Sequence, residues 1–214
     1  MMKQLLALAV PLLAINSNLP DTSAHAENPM ALSSYWKAST DAEYNKDYTE
    51  AIKQISAFSQ QGGDQFLALL RAGWLYYLSK DYDKAANEYT LASRMQPTAI
   101  NPLLGLLSTA QARNDGKGAR LAAESLLHVD PLNYRAQMAL AYMDFEDKNY
   151  QQALSGYRRV LFVYPDDLEA TSGAAWSAYY LGLKNDAAAG FRKLLSINAD
   201  YPMAASGLEL VSQN

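Results

Sequence analysis

The stretch Lys80-Asp81-Tyr82-Asp83-Lys84-Ala85 recurs along the chain with small changes. Residues 46–51 read Lys-Asp-Tyr-Thr-Glu-Ala, and residues 148–153 read Lys-Asn-Tyr-Gln-Gln-Ala. The closing alanine is also present in two less similar copies, as Ala119 and Ala187, so that it occurs five times at intervals of 34 residues. A constant interval of this length predicts a stack of equal structural units.

Each interval divides into two helices. Proline follows the alanine by 12 residues in three copies, as Pro97, Pro131 and Pro165, and ends the second helix; Gly63 and Ala199 take its place in the first and fifth copies. Between the turn residues and these positions, the apolar side chains have helical spacing. One pair of helices cannot bury its own apolar faces, so each pair needs neighbours.

The second copy shows the pattern most fully, as Leu69-x2-Ala72-Gly73-x2-Tyr76, then Ala85-x3-Tyr89, then Pro97. Gly73 and Ala85, one on each helix, are small enough for the two backbones to approach. This pattern resembles the tetratricopeptide repeat, whose 34-residue unit is a pair of antiparallel helices. The resemblance implies an all-α fold, a right-handed superhelical α-solenoid of helix-turn-helix units. The units are residues 32–65, 66–99, 100–133, 134–167 and 168–201.

The sequence of residues 202–214 predicts a capping helix, because an open stack of helix pairs needs a helix to cover its last apolar side. Asp200 is the expected N-cap, with Pro202 in the first turn. Ala204, Leu208 and Val211 then fall on one face.

Residues 1–26 have the pattern of a secretory signal peptide, with Lys3, an apolar run over 5–15, and small residues at Ala24 and Ala26. The run is too short to cross a hydrocarbon layer of about 30 Å. We therefore expect cleavage after Ala26 and a periplasmic protein, with release from the cell as the alternative. Because the chain has no cysteine, it has no site for a lipid on an N-terminal cysteine, and no membrane anchor is expected after cleavage.

Composition excludes several classes of function. The chain of 214 residues has 18 basic and 22 acidic side chains, a net charge of −4 and no basic run, which argues against binding nucleic acid. Without cysteine there is no disulfide, thiol nucleophile or thiolate metal site.

No catalytic or metal site is predicted. Ser34 and Lys37 form a Ser-x-x-Lys motif, which a chain of this composition contains about once by chance. Glu124 and His128 lie one helical turn apart but lack a third ligand. The acidic residues that follow Pro165, from Asp166 to Glu169, are interpreted as helix caps. The sequence therefore indicates a protein that is not an enzyme and needs no cofactor.

The resemblance implies where a ligand would bind, because the first helix of each tetratricopeptide pair lines the concave face and contacts ligands mainly from its second, fifth, ninth and twelfth positions. At or beside these positions the chain is rich in rings, which predicts an aromatic groove. The candidate groove residues are Trp36, Tyr44, Leu70, Trp74, Tyr77, Met138, Tyr142, Phe145, Trp176, Tyr179 and Tyr180. The third unit interrupts them with Leu104, Ser108 and Gln111. For any single ring, packing against the next helix is the alternative.

Family members that grip a C-terminal carboxylate use lysine, arginine and asparagine in this groove. The nearest candidates here, Lys37, Arg71, Asn101 and Arg135, do not reproduce that set, so no such clamp is predicted.

Two functions follow as hypotheses. The first is a periplasmic scaffold or adaptor that binds a peptide or helix of another envelope protein in the aromatic groove. The second is a glycan-binding or polysaccharide-export accessory protein, because aromatic rings suit the apolar faces of sugars. The sequence does not decide whether the chain self-associates.

Overall fold

The computed structural model describes residues 29–213, and the expected signal peptide at 1–26 lies outside them. The described residues form eleven α-helices and no strand. The helices are α1 (Pro29–Tyr44), α2 (Tyr48–Gln60), α3 (Gln65–Leu78), α4 (Tyr82–Met95), α5 (Ile100–Ala112), α6 (Gly116–Val129), α7 (Tyr134–Glu146), α8 (Tyr150–Val163), α9 (Leu168–Tyr180), α10 (Lys184–Ile197) and α11 (Ala204–Gln213).

Helices α1–α10 form five consecutive pairs that follow the 34-residue interval. The second helices, which are α2, α4, α6, α8 and α10, begin at residues 48, 82, 116, 150 and 184. The repeated alanine lies one turn into each second helix and is buried every time. The predicted all-α solenoid is therefore confirmed.

The repeated Lys-Asp stretch forms the turn between the helices of a pair. Its lysine has left-handed backbone in three copies, with φ of 60° at Lys46, 64° at Lys80 and 61° at Lys148. The following residue caps the second helix in the two copies where it is aspartate, as where the Asp81 carboxylate accepts the backbone N–H of Lys84 at 3.3 Å, whereas Asn149 makes no such bond. One residue thus reverses the chain, and the next satisfies an otherwise unpaired N–H group.

Rings on the second helices fit against glycines on the first helices. The Tyr89 ring lies so close to Gly73 and Gly105 that a Cβ at those positions would be 2.8 and 2.5 Å from it. The close neighbour of Gly73 is therefore this ring, one turn beyond Ala85. A Cβ at Gly173 would likewise overlap the Tyr157 ring. Glycine is needed at these places because the ring occupies the space of a side chain.

Contacts between pairs show which helices lie on the inside of the curve. The first helices α3 and α5, α7 and α9, and α9 and α11 contact each other directly. In residues 29–213 the second helices of neighbouring pairs make no comparable contact. The first helices are therefore closer together and line the concave face.

Helix α11 covers the end of the stack. Ala204 is buried, and Leu208 and Val211 pack on the buried side chains of Phe191 and Leu194 in α10. The expectation that Asp200 caps this helix is wrong. The helix begins at Ala204, after Met203 with a left-handed φ of 63°, and the Asp200 N–H donates to the Asn198 side chain.

Candidate functional site

The predicted groove residues form two groups on the first helices. Trp36, Tyr44, Leu70, Trp74 and Tyr77 lie on α1 and α3, and we name them the N-terminal aromatic group. The others lie on α7 and α9. Helix α5, in the third pair, separates the two groups.

A charged pair organises the N-terminal aromatic group. The Glu43 carboxylate accepts the indole N–H of Trp74 at 2.8 Å and also forms an ion pair with Arg71. The Arg71 guanidinium in turn lies 6.0 Å from the centroid of the Trp36 ring, whose edge contacts Phe58. Glu43 therefore neutralises the charge of Arg71, while its Nε and Nη2 are buried without a hydrogen-bond partner.

Exposure separates the rings that pack from those that face solvent. Trp36, Leu70 and Tyr77 are half-buried. Trp74 is 43% exposed and stacks on Tyr77, with ring centroids 5.9 Å apart and planes 17° apart. Tyr44, at the end of α1, is 86% exposed. Trp74 thus presents one ring to solvent while its N–H is held by Glu43.

The second group surrounds an open cavity of about 420 Å³, which we name the C-terminal cavity. Four of the predicted residues line it: Met138, Tyr142, Phe145 and Trp176. The predicted aromatic groove residues do not include the others, although Ser172 holds the fifth position of its unit, which the resemblance places on the concave face. These others are Tyr157 on α8, Glu169, Ser172 and Gly173 on α9, and Tyr201 before α11.

The packing of α8 against α9 makes the floor of this cavity. Tyr157 is buried beneath Gly173, so its ring closes the space between α7 and α9. Burial raises the pKa of the Tyr157 phenol, and the negative charges of nearby carboxylates, Glu146, Asp144 and Glu169 among them, raise it further. The phenol is therefore neutral at ordinary pH and available as a hydrogen-bond donor.

Rings form the walls of the cavity. Tyr142 is 58% exposed, whereas Trp176 is half-buried and packs in a T-shaped contact with Phe191, at a centroid distance of 4.9 Å. Phe145 packs against Tyr150, at 5.5 Å. Ring contacts therefore hold Phe145 and Trp176 in place, and Tyr142 faces solvent.

Tyr179 and Tyr180 do not line this cavity. Tyr180 stacks on Tyr150 with centroids 4.5 Å apart and planes 13° apart, and the Tyr179 ring lies 5.7 Å from Trp176. Both lie at the end of α9, where the chain turns toward α10. The contact of Tyr180 with Tyr150 on α8 joins the fourth and fifth pairs, whereas the ring contacts of Tyr179 lie within α9.

The third pair interrupts the rings with polar groups, as the sequence predicts. The Arg135 guanidinium donates to the Ser108 hydroxyl at 2.8 Å, and this hydroxyl donates to the Leu104 carbonyl at 3.0 Å. A basic group therefore bridges α5 and α7 between the aromatic surfaces.

Among residues 29–213, no cluster of three or more histidine, aspartate or glutamate side chains could hold a metal ion. The same part of the chain contains no helix that is both long and apolar enough to cross a membrane.

A curved stack of helix pairs, with its concave face formed by one helix of each pair, defines an α-solenoid of helical repeats. Residues 37–100 match the family model described as the tetratricopeptide repeat. This match covers 64 of the 214 residues, and the same pair of helices continues at the same interval from there to the cap.

Solved structures show the same fold. A tetratricopeptide repeat protein from Parabacteroides merdae ATCC 43184 superposes with a TM-score of 0.73 at 17% identity, over 86% of this chain and 73% of that one. A crystal structure of the MamA protein gives a TM-score of 0.67 at 16% identity, over 77% of this chain and 90% of that one. MamA from Desulfovibrio magneticus RS-1 gives 0.67 at 13% identity, over 80% and 97%. A comparison with curated protein sequences finds no significant match.

Proposed function

We propose that this protein is a non-enzymatic periplasmic adaptor that holds a peptide or helix of another envelope protein on its concave aromatic face. The observation that carries the proposal is the placement of exposed rings on the first helices, with Trp74 in the N-terminal aromatic group and Tyr142 at the C-terminal cavity. Tetratricopeptide repeats use this concave surface to bind other proteins. Rings there offer large contact area with few torsions to order on binding.

Co-purification tests this use of the concave face. Trp74→Ala combined with Tyr142→Ala removes one exposed ring from each of the two aromatic surfaces and leaves the buried alanines and glycines of the helix seams intact. The matched control is Phe162→Ala, because Phe162 is 89% exposed but lies on the second helix α8. We expect the double variant to lose proteins that the wild type and the control retain from envelope extracts. Equal retention by all three would refute binding by this face.

The periplasmic location rests on residues 1–26, and N-terminal sequencing tests it. A periplasmic fraction should contain a protein that begins at Glu27, the residue after the expected cleavage point. A chain retained in the cytoplasm with its leader intact would remove the periplasmic part of the proposal.

A glycan is the second candidate ligand. The stacked pair of Trp74 and Tyr77, with planes 17° apart, offers a flat apolar surface of the kind that sugar rings contact. Tryptophan fluorescence separates the candidates. A spectral shift with envelope oligosaccharides and none with envelope peptides would favour the glycan, and the reverse result supports the adaptor.

A further inference from the structure

A carboxylate without a partner lies at the C-terminal cavity. Glu169 lines the cavity from the first turn of α9 and, within residues 29–213, makes no hydrogen bond or ion pair. The two neighbouring acids are both engaged. Asp167 caps α9 and accepts the Tyr134 hydroxyl at 2.8 Å, and Asp166 lies 3.9 Å from the Lys193 ammonium. Glu169 is therefore the free anion of this helix start.

The walls beside Glu169 suit a cation. Tyr142, Phe145 and Trp176 line the same cavity, and a guanidinium or ammonium group within about 6 Å of such a ring centroid is attracted to its face. Met138 adds an apolar side chain along which the stem of a basic residue can lie.

Glu169 is the charged side chain among the residues that line the cavity. Nearby cations are committed elsewhere: Arg135 donates to Ser108, and Arg120 pairs with Asp144 and Asp147. No basic side chain lines the cavity. The charge that would complement the cavity is therefore a cation supplied by a bound partner.

We propose that the C-terminal cavity takes an arginine or lysine side chain of the bound protein segment, with its charge against Glu169 and its stem between Tyr142 and Trp176. This inference rests on the proposed adaptor function, because it specifies the chemistry of the segment that the concave face holds. It predicts a partner with a basic residue flanked by apolar residues that contact the remaining rings.

Selection of peptides from a random dodecamer phage library tests the proposal on the purified full chain. The test variant is Glu169→Gln, which keeps the size of the side chain and removes its charge. The matched control is Glu124→Gln, because Glu124 is exposed and unpaired in the described region but lies on the second helix α6. We expect one enriched arginine or lysine position on wild type and on the control, and its loss on Glu169→Gln.

Affinity gives the second measurement, followed by tryptophan fluorescence. A selected peptide should bind Glu169→Gln roughly tenfold more weakly than wild type, and the same peptide with neutral citrulline at the basic position should bind both equally. Peptides selected without basic enrichment, or with enrichment that survives Glu169→Gln, would overturn this inference and leave the adaptor function standing. Failure of wild type to select any peptide above background would overturn both.

Discussion

The side chain four residues after each repeated alanine sets how closely the next first helix approaches. Where this side chain is a ring, as in Tyr89, Tyr157 and Phe191, the next first helix offers glycine: Gly105, Gly173 and Gly207. In the third pair both positions are alanine, at Ala123 and Ala139. Ring and glycine therefore form one unit of packing, and enlarging the glycine strains the seam.

Gly173→Ala tests this packing. The new Cβ would overlap the buried Tyr157 ring, so we expect a loss of about 1–3 kcal/mol in the free energy of unfolding. Gly116→Ala is the control, because a Cβ at Gly116 meets nothing within 4 Å; it should be neutral or stabilising by up to about 1 kcal/mol. Urea unfolding followed by circular dichroism measures both. Equal stability of the two variants would contradict the ring-glycine account.

At the scale of the element, the turns within the pairs combine strain with capping. Lysine occupies left-handed backbone at 46, 80 and 148, Asn114 does so in the third pair, and Gly182 does so in the fifth. Left-handed backbone costs a residue with a Cβ about 1–2 kcal/mol, and glycine avoids this cost. The left-handed residue of the fifth turn is therefore the least strained. In the other turns, the helix cap that follows or the packing of the helices offsets the strain.

The same substitution should therefore have opposite effects at two lysines. Lys148→Gly should raise the free energy of unfolding by up to about 1 kcal/mol, because its φ is 61°. Lys53→Gly, in the middle of α2, should lower it by about 1 kcal/mol. Thermal unfolding measures both changes, and a loss of stability in Lys148→Gly would contradict the assignment of strain to this turn.

Helix α11 should stabilise the stack by covering α10. Ending the chain after Met203 exposes Phe191 and Leu194, so we expect a loss of about 3 kcal/mol or more and a tendency to self-associate. Ending it after Val211 removes residues 212–214, of which Ser212 and Gln213 are exposed, and should leave the melting temperature unchanged. Calorimetry and sedimentation compare the two chains. Equal melting temperatures of the two shortened chains would show that α11 does not stabilise the stack.

For the whole molecule, the period was sufficient to predict the helices and their pairing, because one alanine needs burial at the same place in every unit. The ligand-contact positions that the resemblance implies predict four of the residues that line the C-terminal cavity. The sequence assigns Glu169 to a helix cap, because spacing along the chain does not show that Asp167 is the residue whose side chain caps α9. Tyr157 and Tyr201 were missed because they reach the cavity from outside the first helices.

The arrangement of the two aromatic surfaces limits the chemistry of a partner segment that contacts both of them. The N-terminal aromatic group and the C-terminal cavity are separated by α5, where Arg135 lies against Ser108. One continuous segment that contacts both surfaces must cross this polar bridge. A partner with an apolar end, a polar or acidic centre, and a basic residue flanked by apolar residues at its other end would match it.

Photo-crosslinking in living cells tests the central claim, that the concave face binds a protein, most directly. A crosslinking amino acid is placed at Tyr142 or Trp74 on the first helices, and at Phe162 on α8 as the control of equal exposure or greater. We expect the same discrete protein adduct from positions 142 and 74 and none from 162. Absence of an adduct at both groove positions, or an identical adduct from Phe162, would contradict the account.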